Sequence, residues 1–374
     1  MKYKHVLITG GAGFIGSHLT DHLIENGYKV RILDNLNPQI HPSGKPPVYL
    51  NKKAEFIKGN VINRDDLVKA LEKIDVVFHL AAAVGVGQSM YQIEHYVRDN
   101  CLGTAILLDI LANERHTVKK MLVAASMSSF GEGMYNCPKC GSVQQPDLRN
   151  GADFKKGIWE PLCLLCKMQL TPIPTDETAR LQSPSVYAIT KRTQEELLIS
   201  IGKAYRIPAV SLRFFNAFGS RQSLSNPYNG VAAIFLSRVK NGKNPILNED
   251  GLQTRDFVHI KDLVKVCQLT MESDSANNEI FNVGSGKPTT IREVAKTVLD
   301  LCKSREKLEI TGKFRTFDVR HCFADVTKLK RLVGWMPSIS FKQGMNDVFE
   351  WSKNETATDK VDDAMKELET RGLR

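Results

Sequence analysis

Thr9-Gly-Gly-Ala-Gly-Phe-Ile-Gly16 is the stretch from which the fold can be read. It follows a short apolar run, His5-Val-Leu-Ile-Thr9, that reads as a buried first strand. It leads into Ile15, Leu19 and Leu23, which repeat at helical spacing. Gly10, Gly13 and Gly16 sit in the turn between the two. Glycines there permit a tight turn, let the backbone approach a phosphate closely, and let the helix pack on the strand. The helix N-terminus adds free N–H groups and a partial positive charge, so Gly10, Gly13, Phe14, Ile15 and Gly16 form a cradle for a dinucleotide pyrophosphate. A second strand, 30–33, ends in Asp34-Asn35, and Asp34 lies 18 residues after Gly16 (34 − 16). An acid at that place accepts hydrogen bonds from the adenosine ribose and repels a 2′-phosphate, which points to NAD rather than NADP.

Outward from this unit, strand and helix signals alternate. Segments 54–58 and 75–80 read as strands with a helix over 64–73 between them, and 120–125 reads as a fifth strand. Such alternation specifies a parallel sheet covered on both faces, the α/β doubly wound Rossmann architecture. Residues 131–182 interrupt it with five of the 15 prolines and four of the eight cysteines. The pattern resumes with a helix over 184–205 and a strand over 209–214. The remainder is mixed: a helix at 231–240, an extended run at 257–260, and helices near 261–272 and 291–303. The charged tail from Asn354 carries Val361, Met365 and Leu368 as one narrow helical stripe. At 374 residues the chain is too long for one compact core. The expected division is 1–215 for an NAD-binding domain interrupted by the 131–182 insertion, and 216–374 for a smaller mixed α/β domain holding the second ligand.

The net charge is +10, with the basic residues in short scattered groups. This reads as a solvated surface with room for an anion pocket. No nucleic-acid-binding signature accompanies it. No apolar run approaches the ~20 residues of a membrane span, and a core strand begins within the first few residues, leaving no place for a signal peptide. The expected location is the cytoplasm, with neither nucleic acid nor membrane as partner.

Ser185-Val-Tyr187-Ala-Ile-Thr-Lys191 places a tyrosine and a lysine on one helical face. A free phenol titrates near 10, and bringing it near 7 takes roughly 4 kcal/mol. One positive charge about 5 Å away supplies roughly 3 kcal/mol at an effective dielectric of about 20. Lys191 together with an oxidised nicotinamide therefore makes Tyr187 a competent base for hydride transfer to and from a carbinol.

With these residues in place, the chain resembles the extended short-chain dehydrogenases, in particular the nucleotide-sugar epimerases. The resemblance covers nearly all of the chain outside the insertion. It rests on Thr9 to Gly16, Leu33-Asp34-Asn35, His79-Leu-Ala-Ala82, Asn100, Ser126 to Gly131, Tyr187 with Lys191, Arg213-Phe-Phe-Asn216 and Arg255-Asp256-Phe-Val-His259. It implies a nucleotide-diphosphate sugar as substrate and a homodimer. It implies that Ser126 holds the substrate 4-hydroxyl beside Tyr187. It places Asn60, Val61, Leu80, Ala81, Ala82, Asn100 and Phe215 around the cofactor. Ser128, Asn216, Val231, Arg255 and Arg315 fall around the sugar nucleotide, the two arginines on its diphosphate. Family dehydratases carry Asp-Glu after the serine, and decarboxylases keep the Glu. Met127-Ser128 stands here, which leaves hydride removal and return, that is, epimerisation at C4. Departures are Asn60 for an aspartate, Phe130 for a tyrosine and Phe317 for a glycine near Arg315. Cys322 stands where the family gates pocket size.

The insertion carries Cys137-Pro-Lys-Cys140 and Cys163-Leu-Leu-Cys166, with 141–162 between the pairs. In a reducing compartment two such pairs read as a structural four-cysteine zinc site. With few apolar residues of its own, the insertion needs that metal to order itself. Because it leaves after Ser126 and returns before Tyr187, it is expected to wall or cover the sugar side of the cleft. The insertion, with Pro174-Thr-Asp-Glu177 close behind it, resembles that of dTDP-L-rhamnose 4-epimerases. UDP-glucose or UDP-N-acetylglucosamine epimerisation is the alternative within the class. Outside it stand a 4-keto sugar reductase, disfavoured by Asp34, and a non-catalytic NAD sensor, which has no need of Tyr187 and Lys191.

Overall fold

A computed structural model describes residues 2–149, 151–315 and 317–374. Seven parallel strands form its main sheet: β1 (His5–Thr9), β2 (Lys29–Asp34), β3 (Glu55–Lys58), β4 (Val76–His79), β5 (Lys120–Ser126), β6 (Ala209–Phe214) and β7 (Ile280–Val283). Their spatial order is β7-β6-β5-β4-β1-β2-β3. Val6 pairs with Val30 on one side and Val76 on the other, so β1 marks the place where the strand order reverses. In open parallel sheets the ligand crevice opens at the carboxyl ends of the strands beside that reversal. β4 and β5 are buried along their whole length, which is why 76–78 and 121–125 read as unbroken apolar runs.

Helices cover both faces. On one, Leu19 and Leu23 of α1 (Phe14–Glu25) pack with Leu263 and Val266 of the helix Ile260–Glu272. On the other, Leu67 of α2 (Arg64–Leu71), Leu107 and Leu108 of α3 (Gly103–Asn113) and Leu198 of α4 (Val186–Tyr205) form a second core. α4 starts two residues later than its apolar pattern predicts. Ser185 remains extended and caps it, its hydroxyl accepting from the Ala188 N–H at 3.2 Å. Residues 97–102 form a π-helical stretch leading into α3, which the sequence pattern does not signal.

A third core gathers Phe218, Leu236, Phe257, Val294, Val298 and Met345. The chain crosses the expected 215/216 boundary more than once. β7 adds to the main sheet beside β6, and the helix Ile260–Glu272 packs on α1. Residues Thr254–His259 form a strand paired in parallel with Asn216–Phe218 and His321–Cys322. In the insertion, Met134–Asn136 pairs antiparallel with Val143–Gln144 and with Thr171–Ile173. Among the described residues no helix is long and apolar enough to cross a membrane.

Candidate active site

A cavity of about 460 Å³ opens at the carboxyl ends of β1, β2, β4, β5 and β6. Gly10 forms its floor. With φ at +72°, it occupies a conformation in which a Cβ would lie 2.9 Å from the Ala81 backbone. At Gly16 a Cβ would lie 2.3 Å from the Gly10 carbonyl oxygen. Gly13 caps α1 without any side-chain hydrogen bond, so the first-turn N–H groups carry no side-chain cap. Phe14 and Ile15 line the same wall. The Asp34 carboxylate accepts from Ala12 N at 3.0 Å and from Leu36 N at 2.9 Å, and still borders the cavity. Asn35, Asn60, Val61, Leu80, Ala81 and Ala82 line it as well.

Asn100 differs from its expected place. It does not line the cavity but lies fully buried behind the wall. Its side-chain oxygen accepts from Ala83 N at 2.7 Å, and its amide donates to Thr190 Oγ1 at 2.9 Å. It ties the loop after β4 to α4.

Ser126 ends β5, and its hydroxyl shares a 2.8 Å hydrogen bond with Ser128 Oγ. Tyr187 stands in the first turn of α4, and its backbone N–H donates to Ser89 Oγ at 3.0 Å. Lys191, one turn later, is buried and donates to Gln194 Oε1 at 2.6 Å. Ser126, Ser128, Tyr187, Lys191, Phe215 and Asn216 all face the one cavity. Burial pushes the Tyr187 phenol up, the Ser126 hydroxyl bonded to it pulling the other way. Burial pushes the Lys191 ammonium down to about 7. Behind Lys191, Gln194 donates to Thr104 Oγ1 at 2.9 Å, and His79 bonds both Thr9 and Thr104. Burial holds His79 down to about 3, so this network is neutral. Gln194 was not foreseen, although its place three residues after Lys191 is readable once the helix is assigned.

A second cavity, of about 290 Å³, shares Val86, Asn216, Tyr228, Asn229 and Gly230 with the first. Val231, Arg255 and Arg315 line it. Among the described residues the Arg255 guanidinium donates to carbonyl oxygens, those of Thr254, Val319 and Arg320. Arg315 pairs with Asp318 at 2.8 Å and lies over the ring of Phe317. Asn216 Oδ1 is buried without a hydrogen-bond partner among the described residues. Cys322 lines neither cavity. It is buried against Met127, Phe130 and Phe215, of which Met127 and Phe215 face the first cavity.

A protein whose first 150 residues build a nucleotide cradle invites comparison with known proteins. Residues 6–150 match the NAD dependent epimerase/dehydratase family, and 169–348 match GDP-mannose 4,6 dehydratase. The chain is 32% identical over 355 residues to a dTDP-L-rhamnose 4-epimerase of Burkholderia thailandensis, covering 94% of this chain and 96% of that one. It belongs to the NAD-dependent epimerase/dehydratase family. A putative UDP-glucose 4-epimerase of Methanocaldococcus jannaschii is 31% identical, over 94% of this chain and all of its own. The structure of a UDP-glucose 4-epimerase of Thermotoga maritima with UDP-glucose superposes with a TM-score of 0.75 at 29% identity, covering 93% of this chain and 98% of that one. As a member of the family the chain is an NAD-dependent enzyme.

The insertion lies elsewhere than expected. Among the described residues of 131–182, none lines either cavity. Gly133 N donates to the His321 carbonyl, Thr175 N to that of Phe323, and Asp325 N to that of Thr175. These bonds, the hydrogen bonds of Arg149 to the Asp318 carbonyl and of Arg320 N to the Glu132 carboxylate, and the ion pairs of Glu160 with Arg320 and His321 hold the insertion on residues 318–325, behind the residues that line the cavities. Its four cysteines converge. Cys137 and Cys166 Sγ lie 3.4 Å apart, Cys140 and Cys163 Sγ 3.7 Å, and all four sulfurs lie within 4.8 Å of one another.

Proposed function

We propose that this enzyme is a nucleotide-sugar 4-epimerase that works through a transient 4-keto sugar. The observation that carries the reading is the meeting of Ser126, Tyr187 and Lys191 on one cavity, with no carboxylate beside Ser126. The carboxylates lining that cavity are Asp34, bonded to the glycine turn, and Asp99, paired with Arg98 and His95. Neither stands at the strand end where dehydration needs an acid and a base.

The glycine cradle, the side-chain-free start of α1 and the Asp34 carboxylate fit NAD. NAD held by the glycine cradle and Asp34 would supply a hydride acceptor and donor for C4 and a positive charge beside Tyr187. Ser126 holds the 4-hydroxyl. Tyr187, as phenolate, takes the hydroxyl proton and gives it back when the hydride returns. Protonated Lys191, fixed by Gln194, stabilises that phenolate. Asn216 offers its unpartnered oxygen to the substrate, and Arg255 and Arg315 meet the diphosphate. Turning the sugar over between the two half-reactions inverts C4. Asn100 serves at one remove, by positioning the loop and helix.

The cysteine cluster is assigned a structural zinc. Four thiolates at a Zn–S distance of about 2.3 Å stand about 3.8 Å apart in a tetrahedron, close to the separations found. All four ligand places are protein, so the metal supplies structure and not chemistry. dTDP-L-rhamnose is the leading substrate, on the insertion's likeness and the 32% relative. UDP-glucose is the second, on the 31% relative and the superposed structure.

The test is a panel of dTDP- and UDP-sugars incubated with enzyme and followed by NMR. Epimerisation at C4 without added reductant is expected. Product that accumulates only in step with added NADH or NADPH would make the enzyme a reductase.

A further inference from the structure

The tail helix Val361–Thr370 covers the second cavity. Its stripe of Val361, Ala364 and Leu368 is buried, and Val361, Ala364, Met365 and Leu368 all line the cavity wall. At its end Gly372 takes φ +68°, Gly372 N donates to the Glu369 carbonyl, and Leu373 N donates to that of Leu368. Such a left-handed cap reverses the chain. Arg374 is thereby turned back into the cavity, with its side chain only 5% exposed.

Its bonds leave it incompletely satisfied. Arg374 Nη1 donates to Glu369 Oε1 at 2.8 Å, but that oxygen also takes Lys313 Nζ at 2.7 Å. Nη2 donates to the neutral Asn248 at 3.2 Å. Nε is buried without a hydrogen-bond partner among the described residues. Among the described side chains lining the cavity, Arg255, Arg315 and Arg374 face a single carboxylate, Asp318. Gathering three guanidinium groups on one lining carboxylate, with Glu369 shared between Arg374 and Lys313, costs free energy unless an anion joins them. A nucleotide diphosphate, with about two negative charges, matches that excess. Burial acts most strongly against the Arg374 cation and Arg315 adds to it; Glu369 acts in its favour without cancelling them.

We propose that Arg374 is a third guanidinium of the diphosphate subsite, and that helix 361–370 with its C-terminal turn is a wall of the nucleotide pocket. This rests on the reading of the substrate as a nucleotide-diphosphate sugar. It adds a binding residue from a segment outside the region matched by either family model, which ends at residue 348.

The test is calorimetric binding of dTDP and UDP, and of thymidine and uridine, to the full chain and to Arg374→Gln and Arg374→Lys. Arg374→Gln should weaken the better-bound diphosphate at least about tenfold, leave its parent nucleoside unchanged, and retain NAD. Arg374→Lys should fall between, since it keeps the charge but loses the planar fork. Equal weakening of nucleoside and diphosphate would mean that Arg374 only braces the helix, and would overturn the proposal. So would undiminished diphosphate binding. Failure of the unaltered chain to bind either diphosphate would overturn the substrate reading and this inference with it.

Discussion

Arg149, in the insertion, holds Glu249 through two parallel hydrogen bonds, Nη1 to Oε2 at 2.9 Å and Nη2 to Oε1 at 2.8 Å. Both side chains are buried, and Glu249 also takes Arg320 Nη1 at 2.9 Å. Arg320 in turn reaches Asp250 and, within the insertion, Glu160. The result is a buried charge network spanning the insertion and the C-terminal half. Removing one member of a buried pair leaves its partner uncompensated, at a cost of about 3–5 kcal/mol. Arg149→Ala should lower the stability from urea unfolding by that amount. A loss below about 1 kcal/mol would show that Arg320 alone carries Glu249.

Tyr187→Phe removes the proton acceptor and little volume. Turnover should fall by at least ~10²–10⁴-fold, while bound NAD, measured by release on denaturation, stays at the parent level. Near-normal turnover would exclude Tyr187 as the base.

Asp34→Ala should weaken NAD and narrow the preference over NADP, because the charge facing the ribose is lost. Asp34 also accepts from Ala12 N and Leu36 N, so some loss will come from loosening the glycine turn. That part strikes both cofactors alike, and the ratio of the two affinities isolates the ribose contact. An unchanged ratio would leave Asp34 as a loop brace only.

Lys191 provides a test through pH. Burial holds its ammonium down to about 7, against 10.5 in water. Between those values the unfolded chain binds the proton, and the folded, cofactor-free chain, whose Tyr187 is a neutral phenol and offers the ammonium no counter-charge, does not, so this group's contribution to stability rises with pH across that window. Its full cost is present below pH 7 and gone above 10.5. Lys191→Met should therefore stabilise the cofactor-free protein most at about pH 6, and progressively less towards about pH 10. Urea midpoints that differ by a constant amount across this range would show that Lys191 is not held neutral by burial.

The main sheet and the catalytic pair were legible because both rest on local pattern. Gly10, Gly13 and Gly16 mark one turn, β4 and β5 carry the unbroken apolar runs 76–78 and 121–125, and Tyr187 and Lys191 share a face through helical spacing alone. What escaped depends on pairing between distant segments. Nothing around Arg374 signals that a glycine turn sends it into a cavity lined by Arg255 and Arg315. Nothing near Asn100 tells whether its amide faces a ligand or, as found, Ala83 and Thr190. The insertion was misplaced for a related reason. Its exit and return points flank the site, but its position is set by Gly133, Arg149 and Thr175 bonding to residues 318–325, which the chain reaches much later.

That position sets the last prediction. Beyond its bonds to residues 318–325 and the buried charges of Arg149 and Glu160, the insertion is held to its fold by the four cysteines and a small core of Tyr135, Leu170, Cys137 and Cys163, with Cys166 packed against it. Such a core is too small to offset the ordering entropy of some fifty residues, whereas structural zinc contributes about 10 kcal/mol or more. Elemental analysis should find one zinc per chain, and Cys163→Ser should lose it. The effect on the substrate has to travel through the protein, because the insertion does not line the cavity. Arg149 Nη2 donates to the Asp318 carbonyl at 3.1 Å, and the Asp318 carboxylate holds Arg315 Nε at 2.9 Å. Loosening the insertion therefore frees the segment that presents Arg315 to the diphosphate. Cys163→Ser should raise the KM for the sugar nucleotide several-fold and leave kcat and bound NAD close to the parent, since the glycine cradle and Tyr187 lie on other elements. Arg315→Gln should raise KM in the same way. In the double variant the two effects should not multiply, because both act on one contact. Fully multiplicative effects would show that the insertion reaches the substrate by another route.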